Sequence, residues 1–193
     1  GQAHGVLFVY PSIGGACEVH LKDVDISNNV FTSTSSYYFI ALDNAAHTTT
    51  FENVTIDHNE SASTQACGFI QLGSNNTLTW TGGSLSHNVI NFTSGYALLC
   101  VGYGNYGATA ELRDVDITHN TCSTSPVFVA PRSQFVMEGG SISDNTSSQA
   151  DGGGAINING TNASTHGVVR LTDVNIERNA GVTAGGIRIW NYG

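Results

Sequence analysis

Three histidines, His58, His87 and His119, each stand directly before an asparagine, in the phrases IDHN, LSHN and ITHN. If those phrases stack as neighbouring strands do, the three imidazoles form a file with rings about 4.8 Å apart. Rings so placed can stack, share a proton or hold a metal ion, and acidification would charge all three together and loosen the file. Collinear donors converge poorly on one ion compared with a tetrahedral set, so the pattern favours a corner file of half-exposed rings over a metal centre. Carboxylates are the other group that could do chemistry. Asp25 and Asp57 fall on outward positions of neighbouring phrases, a diagonal pair about 8 Å apart of the kind an inverting glycosidase could use. No apolar neighbour is at hand to raise one of their pKa values and no Arg or Lys joins them to hold a sugar acid, so a solvated face is the simpler expectation, with calcium bound only weakly. The other outward positions are Ser27, Thr55, Ser84, Ser86, Asp116, Thr118, Ser141, Ser143, Asn175 and Glu177. Such a hydroxyl face raises ice binding as an alternative, although a strict Thr-x-Thr file would support it better than this mixture. Gly-x-Ser-x-Gly, HExxH and a phosphate-binding glycine loop are all absent from the sequence, so no catalytic residue is assigned.

The element that must position these residues is a repeated nonapeptide. LKDVDISNN (21–29), FENVTIDHN (51–59), WTGGSLSHN (80–88), LRDVDITHN (112–120), MEGGSISDN (137–145) and LTDVNIERN (171–179) align without a gap. The first residue is always large and apolar and belongs in a core. The third, Asp23, Asn53, Gly82, Asp114, Gly139 or Asp173, is of a type that tolerates a left-handed backbone, so the chain turns a corner there. Period-two alternation follows, with Val24, Val54, Val115 and Val174 inward alongside Ile26, Ile56, Leu85, Ile117, Ile142 and Ile176. Every phrase ends on asparagine: Asn29, Asn59, Asn88, Asn120, Asn145 and Asn179, at spacings of 30, 29, 32, 25 and 34 residues. Stacked amides can hydrogen-bond along the file and satisfy the corner backbone, so an internal asparagine ladder is expected, with variable loops on a fixed scaffold. A further apolar burst follows each asparagine: FIAL (39–42), FIQL (69–72), ALLCV (97–101), VFVA (127–130), AINI (155–158) and IRIW (187–190).

Each coil is therefore read as three short strands: one ending at the first phrase position, one inside the phrase, and the later burst. The expected fold is all-β, a right-handed parallel β-helix of about six to seven coils, with residues 1–193 as a single domain. A leucine-rich horseshoe has a shorter, leucine-dense repeat, and a β-sandwich has no need of one phrase six times. Gly153-Gly154-Ala155-Ile156, with Ile142-Ser143-Asp144-Asn145 before it, resembles the paired GGAI and FxxN motifs of the polymorphic outer-membrane protein repeats. Ile176 to Asn179 followed by Gly185-Gly186-Ile187 is a looser second copy. That resemblance implies a surface-exposed β-helix with an adhesive role, similar in architecture to pectate-lyase-like folds; fold alone does not carry function across such a group.

Composition agrees with a surface setting. Only 11% of residues are charged, the net charge is -9, Lys22 is the single lysine, and the five arginines are scattered. Nucleic acid is thereby a poor partner, since its recognition needs clustered cations. No apolar run approaches the ~20 residues that cross a bilayer, so membrane insertion is not expected. Cys17, Cys67, Cys100 and Cys122 lack zinc-like spacing, and one or two disulfides of undetermined pairing are expected, against buried thiols as the alternative. GVLFVYPSIGG and IRIWNYG read as uncapped coils, which implies self-association end to end or continuation of a longer solenoid. The functional expectation is an extracellular or cell-surface structural or adhesive glycoprotein, a subunit of a filament, appendage or surface layer, with no cofactor beyond N-linked glycans. The alternatives are a polysaccharide-acting enzyme or carbohydrate-binding module, and an ice-binding protein.

N-x-S/T triplets begin at Asn53, Asn59, Asn75, Asn91, Asn145, Asn159 and Asn162. Asn75, Asn91, Asn159 and Asn162 are placed in loops and Asn53 at a corner, all open to sugar, whereas Asn59 and Asn145 belong to the ladder. Intact-glycopeptide mass spectrometry should therefore find Asn59 and Asn145 bare; sugar on either contradicts the ladder.

Overall fold

Side-chain parity on either side of one left-handed residue sets the local structure. In the strand Thr48–Asp57, Thr49 and Phe51 are buried before the corner and Val54 and Ile56 after it. The inward set moves from odd to even numbers because Asn53, at φ 50°, inserts one step between the two arms. Asp23, Gly82, Asp114, Gly139 and Asp173 do the same in the other phrases, with φ between 51° and 68°. Asp and Asn tolerate that conformation by bonding locally, and Gly has no Cβ to clash.

The structure, a computed structural model, describes residues 6–9, 15–33, 38–42, 46–63, 68–91, 97–102, 107–150, 152–162 and 165–191. It is all-β, with no helix among the described residues, and its parallel strands stack as a β-solenoid of about five turns. Three sheets run along it, of eight, ten and five strands. The ten-stranded sheet carries the nonapeptides in register: Leu21, Phe51, Trp80, Leu112, Met137 and Leu171 pair in sequence, and so do Ile26, Ile56, Leu85, Ile117, Ile142 and Ile176. The eight-stranded sheet carries the apolar bursts, for example Ile40, Ile70, Leu99, Val127, Ile156 and Ile187 in one file.

The sequence-based strand assignment needs one correction. The two arms expected as separate strands belong to one bent sheet, continuous through Thr48–Asp57 and Thr77–Ser86. The third sheet is built from strands where the sequence predicts a polar loop: Val30–Ser33, Glu60–Ser63, Val89–Ile90, Thr121–Cys122 and Thr146–Ser147, directly after Asn29, Asn59, Asn88, Asn120 and Asn145. These strands are too short and too mixed to show a period of two.

Between the sheets the core is one continuous cluster in which Phe51, Trp80, Leu112 and Met137 are fully or almost fully buried. Burial of side chains this large contributes roughly 1.5–3 kcal/mol each. Aromatic rings stack coil on coil, Phe39 on Phe69 at 4.2 Å and Phe51 edge-on to Trp80 at 5.4 Å. At the end coils the equivalent residues, Leu21 and Val24 on one side and Leu171, Val174 and Ile176 on the other, are only partly buried.

Two phrases replace Val at the fourth position with Gly. At Gly83 φ is 93°, and an added Cβ would fall 2.1 Å from the Val54 carbonyl oxygen, whereas at Gly82 nothing lies closer than 3.9 Å. Gly83→Ala should therefore cost about 2 kcal/mol or more in urea unfolding. Gly82→Asn, which restores the residue found at Asn53, should stay within about 0.5 kcal/mol. Equal effects at the two positions would contradict this packing.

Candidate functional site

The corner after the phrase strand carries the asparagines and histidines that the repeat brings into file. Its last turn is made by a residue with positive φ in every coil: Asn28, His58, His87, His119, Asp144 and Arg178, at 57°, 51°, 50°, 56°, 57° and 53°. The residue that follows turns inward and is the ladder asparagine. Asn59, Asn88, Asn120 and Asn145 are 0–1% exposed.

Each ladder amide is used from both sides. The Asn88 side-chain oxygen accepts from the backbone N–H of Asn59 at 3.0 Å and from its Nδ2 at 3.0 Å. Asn88 Nδ2 donates to Asn120 Oδ1 at 3.1 Å, to the Ile56 carbonyl at 2.9 Å and to the Ser86 carbonyl at 2.9 Å. The same pattern runs from Asn29 to Asn179. The ladder has a direction: backbone N–H and Nδ2 of one coil always point to Oδ1 of the next.

The histidines form the expected file on the outside of this corner. His58 and His87 stack at 4.8 Å and 8°, and His87 and His119 at 4.9 Å and 13°. The sequence reading did not identify the acid that organises the first two. Asp57 lies 2.5 Å from His58 Nδ1 and 3.0 Å from His87 Nδ1, and accepts the Ser86 hydroxyl at 2.8 Å. Burial works to raise the Asp57 pKa, but bonds from His58, Ser86 and His87 outweigh it and hold the carboxyl below its ordinary value. Asp144 faces the third ring, with His119 Nε2 at 3.8 Å, but is committed to Arg178 through bonds of 2.7 and 2.9 Å. That guanidinium lowers the Asp144 pKa.

Asp25 and Asp57 do fall diagonally, since Asp25 pairs with Thr55 and Ser27 with Asp57. A glycosidase pair needs one carboxyl with a raised pKa; Asp57 is shifted the opposite way. Hydroxyls of the face are partly committed as well, with Ser141 Oγ donating to Asp116 at 2.7 Å and Ser84 Oγ 3.2 Å from Ser86 Oγ. A threonine array that the sequence reading did not single out lies on the other arm of the bent sheet, where Thr48, Thr77 and Thr109 pair in one file and Thr50 and Thr79 in the next.

A second polar corner was also missed. The buried His47 accepts the Cys17 N–H on Nδ1 at 3.0 Å, Asn76 Oδ1 accepts the His47 N–H at 2.9 Å, and Ser133 Oγ accepts the Ala108 N–H at 3.2 Å. The device is that of the asparagine ladder, carried out by residues of three types, so no repeated letter reveals it. A cavity of about 450 Å³ opens beside it, lined by Asn75, Asn76 and Arg132 among others.

Disulfides were expected, and among the described residues none joins Cys17, Cys100 and Cys122; Cys67 lies outside those residues. Cys100 is in the eight-stranded sheet and Cys122 in the five-stranded one. Burial pushes the Cys122 thiol up to about 12. Of the sequons, Asn53, Asn75 and Asn91 are exposed, Asn159 is half-buried in the strand Ile156–Asn162, and the Asn162 side chain is outside the described residues. Among the described residues no helix is long and apolar enough to cross a membrane. Compared with known proteins, the chain matches no family model, no curated protein and no solved structure.

Asn88→Ala removes the side-chain acceptor of the buried Asn59 N–H and a donor to the Ile56 carbonyl. Urea unfolding should show a loss of about 3 kcal/mol or more, because each orphaned buried group costs about 1–3 kcal/mol. Asn29→Ala, at the half-buried end of the ladder, should cost only about 1 kcal/mol. Similar losses at both positions would show that the ladder does not carry the corner.

Proposed function

We propose that this chain is a structural or adhesive module of an extracellular surface, a right-handed parallel β-helix of six to seven coils with three strands each, which joins to a second copy end to end. The right hand follows from the strong preference of parallel crossovers. The observation that carries the proposal is the hydrogen bonding of the first and last ladder asparagines. Asn59 Oδ1 accepts two hydrogen bonds from Asn29, whereas among the described residues no earlier ladder asparagine donates to Asn29 Oδ1. At the last phrase, Asn179 Nδ2 reaches back to the Ile142 carbonyl, and among the described residues no later ladder asparagine lies ahead of it. An acceptor at the first coil and donors at the last are complementary, so head-to-tail stacking would continue the ladder across the junction.

Apolar surface supports the same reading. Ile187 and Ile189 occupy the file of Ile156 and Ile158, yet are 43% and 78% exposed. Inward-facing isoleucines and unpaired strand edges at a terminal coil are covered in a stable solenoid, by a cap, a further coil or another chain. The low charge, the hydroxyl-rich faces and the exposed sequons Asn53, Asn75 and Asn91 fit a glycosylated surface module, as does the resemblance to the outer-membrane repeats. The flat threonine array around Thr48, Thr50, Thr77 and Thr79 is the natural adhesive face, with carbohydrate as a suitable partner.

Sedimentation velocity over a wide concentration range tests the end-to-end contact. The wild-type chain should form a series of linear oligomers that grows with concentration, and Ile189→Lys should shift it to monomer. A wild-type monomer at every concentration would overturn the proposal.

A further inference from the structure

We infer that Asp57, His58 and His87 form a binding site for a divalent transition-metal ion at the corner of the second and third phrases. Their potential ligand atoms lie within 4.8 Å of one another. Three histidines in a straight file would converge poorly on an ion; the structure adds an off-axis carboxylate and thereby selects two of the three. Nδ1 of His58 and Nδ1 of His87 both face the Asp57 carboxylate. A carboxylate at neutral pH only accepts, so without an ion each Nδ1 carries the proton that lies between ring and acid. A metal ion takes the place of those two protons, which pass to Nε2, so that each ring stays neutral and carries its N–H there.

The geometry needs only small changes. Zinc takes imidazole nitrogen at 2.0–2.1 Å and carboxylate oxygen at 2.0–2.2 Å, so the two rings must tilt toward each other along their Nδ1 edges. Their side chains, 59% and 47% exposed, have room to do so. The backbone is already arranged: both histidines sit at the same left-handed corner, φ 51° and 50°, on adjacent coils. Three protein ligands leave a coordination position for water or an outside ligand.

Charge marks this part of the file off from the rest. Asp144, the acid beside His119, is neutralised by its two bonds to Arg178. Glu52, near His20, is paired with Lys22 at 2.8 Å. Among the described residues no Lys or Arg pairs with Asp57, whose ion-pair partners there are His58 and His87 alone. A cation that entered here would meet an uncompensated carboxylate flanked by two nitrogen donors, a set suited to zinc, copper or nickel rather than to calcium.

Zinc chloride titration of the intact chain near neutral pH, read by calorimetry and by imidazole nitrogen NMR, tests the site. One zinc ion per chain should bind, with the His58 and His87 Nδ1 resonances shifting together, those of His20 unmoved, and those of His119, which stacks on His87, shifting far less. Asp57→Asn and His87→Gln should each weaken binding by about tenfold or more, and His119→Gln should leave it unchanged. Unfolding midpoints of the variants in the absence of zinc separate loss of ligand from loss of fold. No binding at millimolar zinc, binding that His87→Gln leaves intact, or an equal loss in His119→Gln would overturn the assignment.

Discussion

One hydrogen bond recurs from coil to coil, and the rest of the molecule depends on it: a backbone N–H at the corner donates to the side-chain oxygen of the asparagine one coil further on. A chain that turns sharply inside a protein leaves backbone groups without strand partners, and each must be satisfied or be costly. Asparagine is suited to this position because its amide both accepts and donates. It takes the N–H of the coil before, passes Nδ2 to the coil after, and also reaches backbone carbonyls at the corner. The coils can then differ by up to nine residues in spacing, from 25 to 34, while the corner geometry stays constant.

That constancy has consequences on the outside. Turning each ladder asparagine inward requires the residue before it to be left-handed, and six different coils solve this with Asn, His, Asp and Arg. Outside glycine, asparagine and aspartate that conformation is disfavoured, so His58, His87, His119 and Arg178 are held there by the surrounding stack. Their side chains are displayed in a line at strand spacing, which is why the rings stack and why the Arg178 guanidinium finds Asp144 one coil away. A functional group placed at this offset acquires neighbours of fixed distance without a dedicated fold element.

Much of this was legible in the sequence. The nonapeptide showed which residues face the core, that Asp23, Asn53 and their equivalents turn left-handed, and that the asparagines form a file. All three are regularities of residue type at a fixed offset, the kind of signal a repeat makes visible. Other features left no such signal. The five-stranded sheet uses pieces such as Val89–Ile90 and Thr121–Cys122, too short for alternation. The second polar corner employs His47, Asn76 and Ser133, three letters for one role. Asp57 is next to His58 in the chain, but its importance comes from reaching His87 on the following coil, which the register of stacking decides. Disulfide pairing was not legible for a related reason: an even cysteine count says nothing about which sheet each residue joins, and Cys100 and Cys122 join different ones.

The most direct test of like-on-like stacking is NMR detection of scalar coupling across the ladder hydrogen bonds, from the backbone nitrogen of one asparagine to the side-chain carbonyl carbon of the next. The account predicts resolved couplings from Asn59 to Asn88, from Asn88 to Asn120 and from Asn120 to Asn145. Coupling of these backbone amides to any other carbonyl, or their rapid exchange with solvent, would contradict it.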